Sequence, residues 1–130
     1  MKMARVNTVL VHKAIRENLP KIPFEKLKNK ILGKHYDLSL VFIGESKSRS
    51  LNKKYRGKDT PTNILTFPLS KTSGEIFITP RVAKRDAPLF NQSYREFLMT
   101  LLIHGLLHLK GFRHGSRMEK SEKVHQRHVK

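Results

Sequence analysis

The sequence predicts an α+β domain in which a small mixed sheet of about four strands is packed by helices, one of them a buried core helix carrying histidines. Three observations lead to this. Short apolar runs of strand character recur between glycines and prolines, helical stripes fall between them, and from Phe97 to Leu109 almost every position is apolar except His104 and His108. A chain of 130 residues reads as one domain spanning 1–130, able to bury roughly two-thirds of its unfolded surface without a disulfide or a second domain.

In chain order, Ala4 to His12 alternates in part and predicts one short strand. Pro23 stands at a helix start, and Phe24, Leu27, Ile31 and Leu32 form an amphipathic stripe closed by Gly33. Tyr36 to Ile43 is a strand, with Leu38, Leu40 and Phe42 alternating against Ser39 and Val41. A polar helix follows from Glu45 to Arg56. Gly57 and Pro61 bracket a loop that feeds a central strand over Thr62 to Phe67, stopped by Pro68. Ser73-Gly74 predicts a turn into a strand over Glu75 to Thr79, and Pro80 to Asn91 reads as a proline-punctuated connector. Residues 115–130 form a polar surface helix or tail, in which His125 and His128 read as solvated.

The last helix carries the chemistry. Ser93 followed by Glu96 is a capping-box start, and the apolar run behind it is too short and too interrupted by histidine to cross a membrane. His104 and His108 are four apart, within about 40° of each other around the axis, so both rings project from one face and can share a metal ion. Gly111 can leave the helix with positive φ and bring His114 back over that face as a third ligand. A lone core histidine is ordinarily a neutral ring with one satisfied hydrogen bond. Three at spacings of four and six, with a glycine between, predict a metal centre. Three imidazoles suit zinc or a similar divalent transition metal and leave a position open for water or substrate. Zinc proteases with this spacing carry Glu directly after the first His, whereas Gly105 stands here, so the base for peptide hydrolysis is missing.

Composition narrows the partner. The 27 Lys and Arg against 10 Asp and Glu give a formal charge of +17, far beyond the magnitude of about 2 to 8 that solubility asks for. A polyanion, RNA or DNA, is the expected partner. Cysteine is absent, which excludes thiolate sites and disulfides and fits a reducing compartment. The N-terminus lacks the apolar run of a signal peptide, so a cytoplasmic location without membrane association is expected. Within the donor-rich loop, Arg56 is the candidate phosphate clamp, its planar fork suiting phosphate oxygens, although an ordinary surface arginine would read the same.

The run His104-Gly-Leu-Leu-His108-Leu-Lys-Gly111-Phe-Arg-His114 closely resembles the YbeY family signature of bacterial endoribonucleases, written H-G-x-L-H-L-x-G-[YF]-D-H. Leu51 to Leu69 resembles that family's L-N-x-x-[YF]-R-x-K-D-x-P-T-D-V-L-S-F-P pattern, and Gly74-Glu75-Ile76 its G-D-I strand. Order and spacing agree over roughly Leu38 to His114. The resemblance implies a zincin-like domain in which His104, His108 and His114 hold the metal with Arg56 nearby to meet a phosphate. It further implies single-strand endoribonuclease activity, maturation of the 3′ end of small-subunit ribosomal RNA, and a place in ribosome quality control, so RNA rather than DNA is the expected substrate. Small-subunit rRNA and ribosomal proteins or assembly factors are the expected partners. Water or the RNA 2′-hydroxyl could serve as nucleophile. Departures fall at acids: Arg113, Asn63 and Glu75 stand where the family pattern has Asp. An RNA-binding ribosome assembly factor with a weak or vestigial metal site is the alternative, and a hydrolase of another substrate a third reading.

Overall fold

The computed structural model describes the backbone of residues 2–6 and 9–114 and the side chains of residues 9–111. Among these residues five strands form one mixed sheet in the order β1-β2-β3-β5-β4: β1 (Lys2–Val6), β2 (Val9–Lys13), β3 (Asp37–Phe42), β4 (Ile64–Ser70) and β5 (Ser73–Ile78). The helices are α1 (Phe24–Leu32), α2 (Glu45–Arg56), α3 (Pro80–Asp86) and α4 (Tyr94–His114), with a 3₁₀ turn at Ala87–Phe90. The predicted polar segment 115–130 lies outside the described residues.

The centre of the sheet is parallel, β2 beside β3 and β3 beside β5, while β1 and β4 pair antiparallel at its two edges. Parallel neighbours require crossovers. α1 supplies the first, and α2 with β4 the second. The single strand expected over Ala4 to His12 is instead two, folded back so that Val6 faces Val9, which raises the strand number from four to five.

β4 is an edge strand, not a central one, and it continues through Pro68 to Ser70. An edge strand tolerates proline because the missing N–H belongs to no ladder, and the register shifts between Pro68 and Ser70. The turn before β5 is therefore Lys71-Thr72, and Ser73 and Gly74 are already strand. The segment expected as a connector folds into α3 and the 3₁₀ turn. Pro80 occupies the start of α3, where its lost N–H is harmless.

One face of the sheet is the core. Val9, Leu38, Leu40, Phe42, Ile76 and Ile78 are buried there against α1, α3 and α4. Leu98, Leu102, Leu106 and Leu107 of α4 are at most 1% exposed. Each such side chain contributes about 1.5–3 kcal/mol of burial. α2 lies toward the other face, where Tyr55 packs on Phe67 of β4.

A buried cation closes α1. Lys28 is 0% exposed, and its ammonium donates to the carbonyls of Gly33 (3.0 Å), Lys34 (3.2 Å) and Tyr36 (3.0 Å). Burial pushes its pKa below the usual lysine value, and the three carbonyls at the helix end offset that penalty. Gly33, with φ 93°, turns the chain there. Lys28→Met keeps the volume but strands three acceptors, and a loss of about 2–4 kcal/mol is expected. An unchanged urea midpoint would count against this role for the ammonium.

Candidate metal centre and the edge beside it

α4 begins as its sequence dictates. Ser93 N–H donates to Glu96 Oε1 (2.9 Å) and Glu96 N–H donates to Ser93 Oγ (3.1 Å), the reciprocal bonds of a capping box. Further along the helix, the rings of His104 and His108 meet with Nε2 to Nε2 2.6 Å, centroids 4.2 Å apart and planes at 75°. His104 is half-buried and His108 exposed, so the pair opens to solvent. Nitrogen ligands on one tetrahedral zinc stand about 3.3 Å apart, given Zn–N distances near 2.0–2.1 Å. Opening the pair by less than about 1 Å therefore admits an ion, and the two donors fit such a metal.

Among the described residues no group of three His, Cys, Asp or Glu side chains comes together. The His114 and Arg113 side chains lie outside those described. The backbone, however, corrects the expected break: α4 runs through Gly111 to His114, and among the described residues the positive-φ glycines are Gly33 and Gly57. Glycine permits an exit from a helix without compelling one, since in an interior position it costs only about 1 kcal/mol relative to Ala. On this continuous helix His114 lies about 9 Å further along the axis than His108.

Gly105 has a packing role that the absent protease base does not capture. A Cβ built there would stand 3.0 Å from Ile64 Cδ1 and 3.1 Å from both Ile76 Cδ1 and Thr66 Cγ2. The position after the first histidine thus presses against β4 and β5. A glycine inside an otherwise apolar helix was the available sign of close approach in the sequence. Gly74 is more tightly constrained still, since its added Cβ would meet the Tyr36 hydroxyl and Leu109 Cδ2, the latter at 2.8 Å.

Arg56 lies at the end of α2, exposed, with Nη2 donating to the Thr66 carbonyl (3.1 Å) and its guanidinium 5.4 Å from the Phe67 ring centroid. Thr66 joins the two predicted parts of the site: its carbonyl holds Arg56 and its methyl faces Gly105, next to His104. No sequence signal marks Thr66, because the group that matters is a backbone oxygen.

The loop between α2 and β4 is built from polar side chains of the helix. Ser48 Oγ donates to the Thr62 carbonyl and accepts from the Thr62 N–H, both at 2.9 Å, and Asn52 Nδ2 donates to the Thr60 carbonyl at 2.9 Å. Gly57 (φ 71°) ends the helix in the left-handed conformation. Arg49 forks onto Asp59 at 2.8 and 3.1 Å. Those hydrogen bonds, first among the causes, hold the Asp59 carboxyl below its usual range. A lowered folded-state pKa means that this contribution is full above the ordinary carboxylate pKa and lost as pH falls through the lowered one. Amide exchange in residues 57–62 is accordingly expected to quicken in acid before α4 loosens; protection that falls together in both would contradict it.

Two acid departures acquire local meaning. Asn63 Nδ2 donates to Asp86 Oδ2 at 3.1 Å, a contact that a carboxylate at 63 would turn into repulsion. Glu75 belongs to interior strand β5 and alternates away from Ile76 and Ile78, onto the sheet face opposite α4. Its carboxylate is therefore turned away from the histidine rings of α4.

Comparison with known proteins agrees with this fold. A protein of Thermotoga maritima named Endoribonuclease YbeY is 33% identical over 116 residues, 88% of this chain and 76% of that protein. Another of that name, from Persephonella marina, is 31% identical over 134 aligned positions, 97% of this chain and 85% of that one. A solution structure from Thermotoga maritima superposes with a TM-score of 0.59 at 26% identity, covering 92% of this chain and 88% of that chain. The profile described as Endoribonuclease YbeY matches residues 4–130, essentially the whole sequence, and the chain belongs to that family.

Proposed function

We propose that this protein is a metal-dependent endoribonuclease that cuts single-stranded RNA, with ribosomal RNA, at the 3′ end of the small-subunit species, as its substrate in the cytoplasm. The observation that carries the reading is the convergence of His104 and His108 Nε2 on one solvent-open point, in a chain whose relatives are named endoribonucleases. His104 and His108 would hold the ion, zinc or a similar divalent metal, with His114 as third ligand once the helix end opens at Gly111. A bound ion of this kind supplies Lewis-acid activation of water or of a phosphoryl oxygen.

The chain's own residues do the rest. Arg56 spends one N–H on Thr66, and a guanidinium carries five donors, so others remain to meet a phosphate. Whether water or the 2′-hydroxyl attacks, negative charge grows on the phosphoryl oxygens, and the Arg56 guanidinium, held by a strand carbonyl and an aromatic ring, would stabilise it on a phosphate that reaches it. Gly105, filled around by Ile64, Ile76 and Thr66, leaves no carboxylate for peptide hydrolysis.

The test is cleavage of a single-stranded RNA by zinc-loaded protein, by chelated protein and by Arg56→Ala. Chelation should abolish cutting. Arg56→Ala should lower the rate by about 10²–10³, the scale of one lost charge-stabilising donor, with metal content unchanged. Equal cleavage by all three would end the proposal.

A further inference from the structure

The face of the sheet away from α4 carries an aromatic path that extends beyond the Phe67 ring beneath Arg56. Register places Leu10, Ser39, Glu75 and Phe67 in one row across β2, β3, β5 and β4, and His12, Val41, Phe77 and Leu65 in the next. Phe67 and Phe77 meet edge to face with centroids 5.8 Å apart, and Tyr55 of α2 extends the path, 5.1 Å from Phe67. Phe67 and Phe77 are half-buried, and Tyr55 is 52% exposed. Cations stand over this path: Lys54 Nζ is 5.2 Å from the Tyr55 ring and the Arg56 guanidinium 5.4 Å from Phe67. Lys47, Lys53 and Lys58 are exposed on the same helix and the loop after it.

We infer that this face is a platform for single-stranded RNA, on which bases stack against Tyr55 and the exposed parts of Phe67 and Phe77 while the α2 cations follow the phosphates. The inference rests on the proposed function for the identity of the strand. Aromatic rings interleaved with cations suit bases joined by phosphates, and the charge of +17 is complementary to them. A duplex keeps its base faces stacked inside and cannot use the rings. The platform also runs into the proposed cleavage site. Arg56 touches Phe67 on this face and Thr66 at the edge of β4, and Thr66 in turn abuts Gly105 beside His104. A strand lying on Tyr55 and Phe67 thus passes Arg56 before it crosses that edge toward the histidines.

The experiment is fluorescence anisotropy of the full chain with a labelled single-stranded RNA of about a dozen nucleotides, within the usual span of such grooves, with chelator present so that nothing is cut. Tyr55→Ala should bind about 10-fold more weakly, the scale of one lost base stack. Tyr55→Phe should bind as the wild type, and affinity for duplex RNA should be the same in all three. Lys54→Ala should instead reduce the salt dependence, flattening the slope of log K against log salt by about 0.7. Circular dichroism confirms that each variant is folded. Wild-type affinity of Tyr55→Ala for the single strand, or an equal loss for duplex, overturns the platform. If the wild type cleaves RNA with metal while Tyr55→Ala binds undiminished, the platform falls and the nuclease reading stands. If Tyr55→Ala binds 10-fold more weakly and no variant cleaves RNA with metal, the platform stands and the nuclease reading falls. A wild type that binds no single strand overturns both.

Discussion

Purified without added metal, the wild-type protein is expected to carry about one equivalent of zinc or a similar divalent ion, and His108→Ala none. The expectation follows from geometry. His104 and His108 are the two rings whose Nε2 atoms meet, at 2.6 Å, and removing one destroys that pair and leaves the proposed site with two of its three imidazoles. Without the pair the remaining ligands are too few and too loosely arranged to keep a zinc ion through purification, so the metal should be lost and RNA cleavage should vanish with it. His108 is exposed, so the variant should melt as the metal-free wild type does. Elemental mass spectrometry beside a melting curve separates a lost ligand from a lost fold. If both proteins arrive without metal and neither takes up added zinc, the metal centre is wrong, and the RNA-binding assembly factor becomes the better reading.

The second large effect is on folding. Gly105→Glu restores the residue that a zinc protease has after its first histidine, and the expected result is an unfolded or insoluble protein rather than a peptidase. Even a methyl at this position would stand 3.0–3.1 Å from Ile64, Ile76 and Thr66. A glutamate adds overpacking of about 1–3 kcal/mol and buries a carboxyl among isoleucine side chains for a few kcal/mol more. Against a total stability of about 5–15 kcal/mol, the fold should be lost or severely weakened. Soluble expression with a wild-type melting temperature would refute this account of the glycine, and peptidase activity in that variant would show that only the base had been missing.

What could be read from the sequence is what periodicity and local chemistry encode. The α+β class, α1 with its Gly33 exit, the β3 alternation, the span of α2 and the capping box of α4 all follow from patterns within a few residues, and the structure has each of them. The adjacency of His104 and His108 belongs here too, because i and i+4 on a helix are neighbours whatever surrounds them. The position of Gly111 is a local matter that the sequence left open: a glycine allows a helix to end and also allows it to continue.

The tertiary structure alone decided the rest, because it turns on which strands are neighbours. Pro68 ends a strand only if that strand needs the N–H, and the placing of β4 at the edge removed the need. The face on which Glu75 sits depends on the register of β5 against β3 and β4, and one residue of slip would reverse it. Gly105 is tightly enclosed because two isoleucines and a threonine, about 30 to 40 positions away in the chain, converge on it. Arg56 is aimed by a carbonyl ten residues away, a group every residue possesses and no sequence distinguishes. The helices, most of the strands and the histidine pair were legible because they depend on spacing along the chain; the edge, the faces and the close approaches came with the sheet order, because they depend on which distant residues share a boundary.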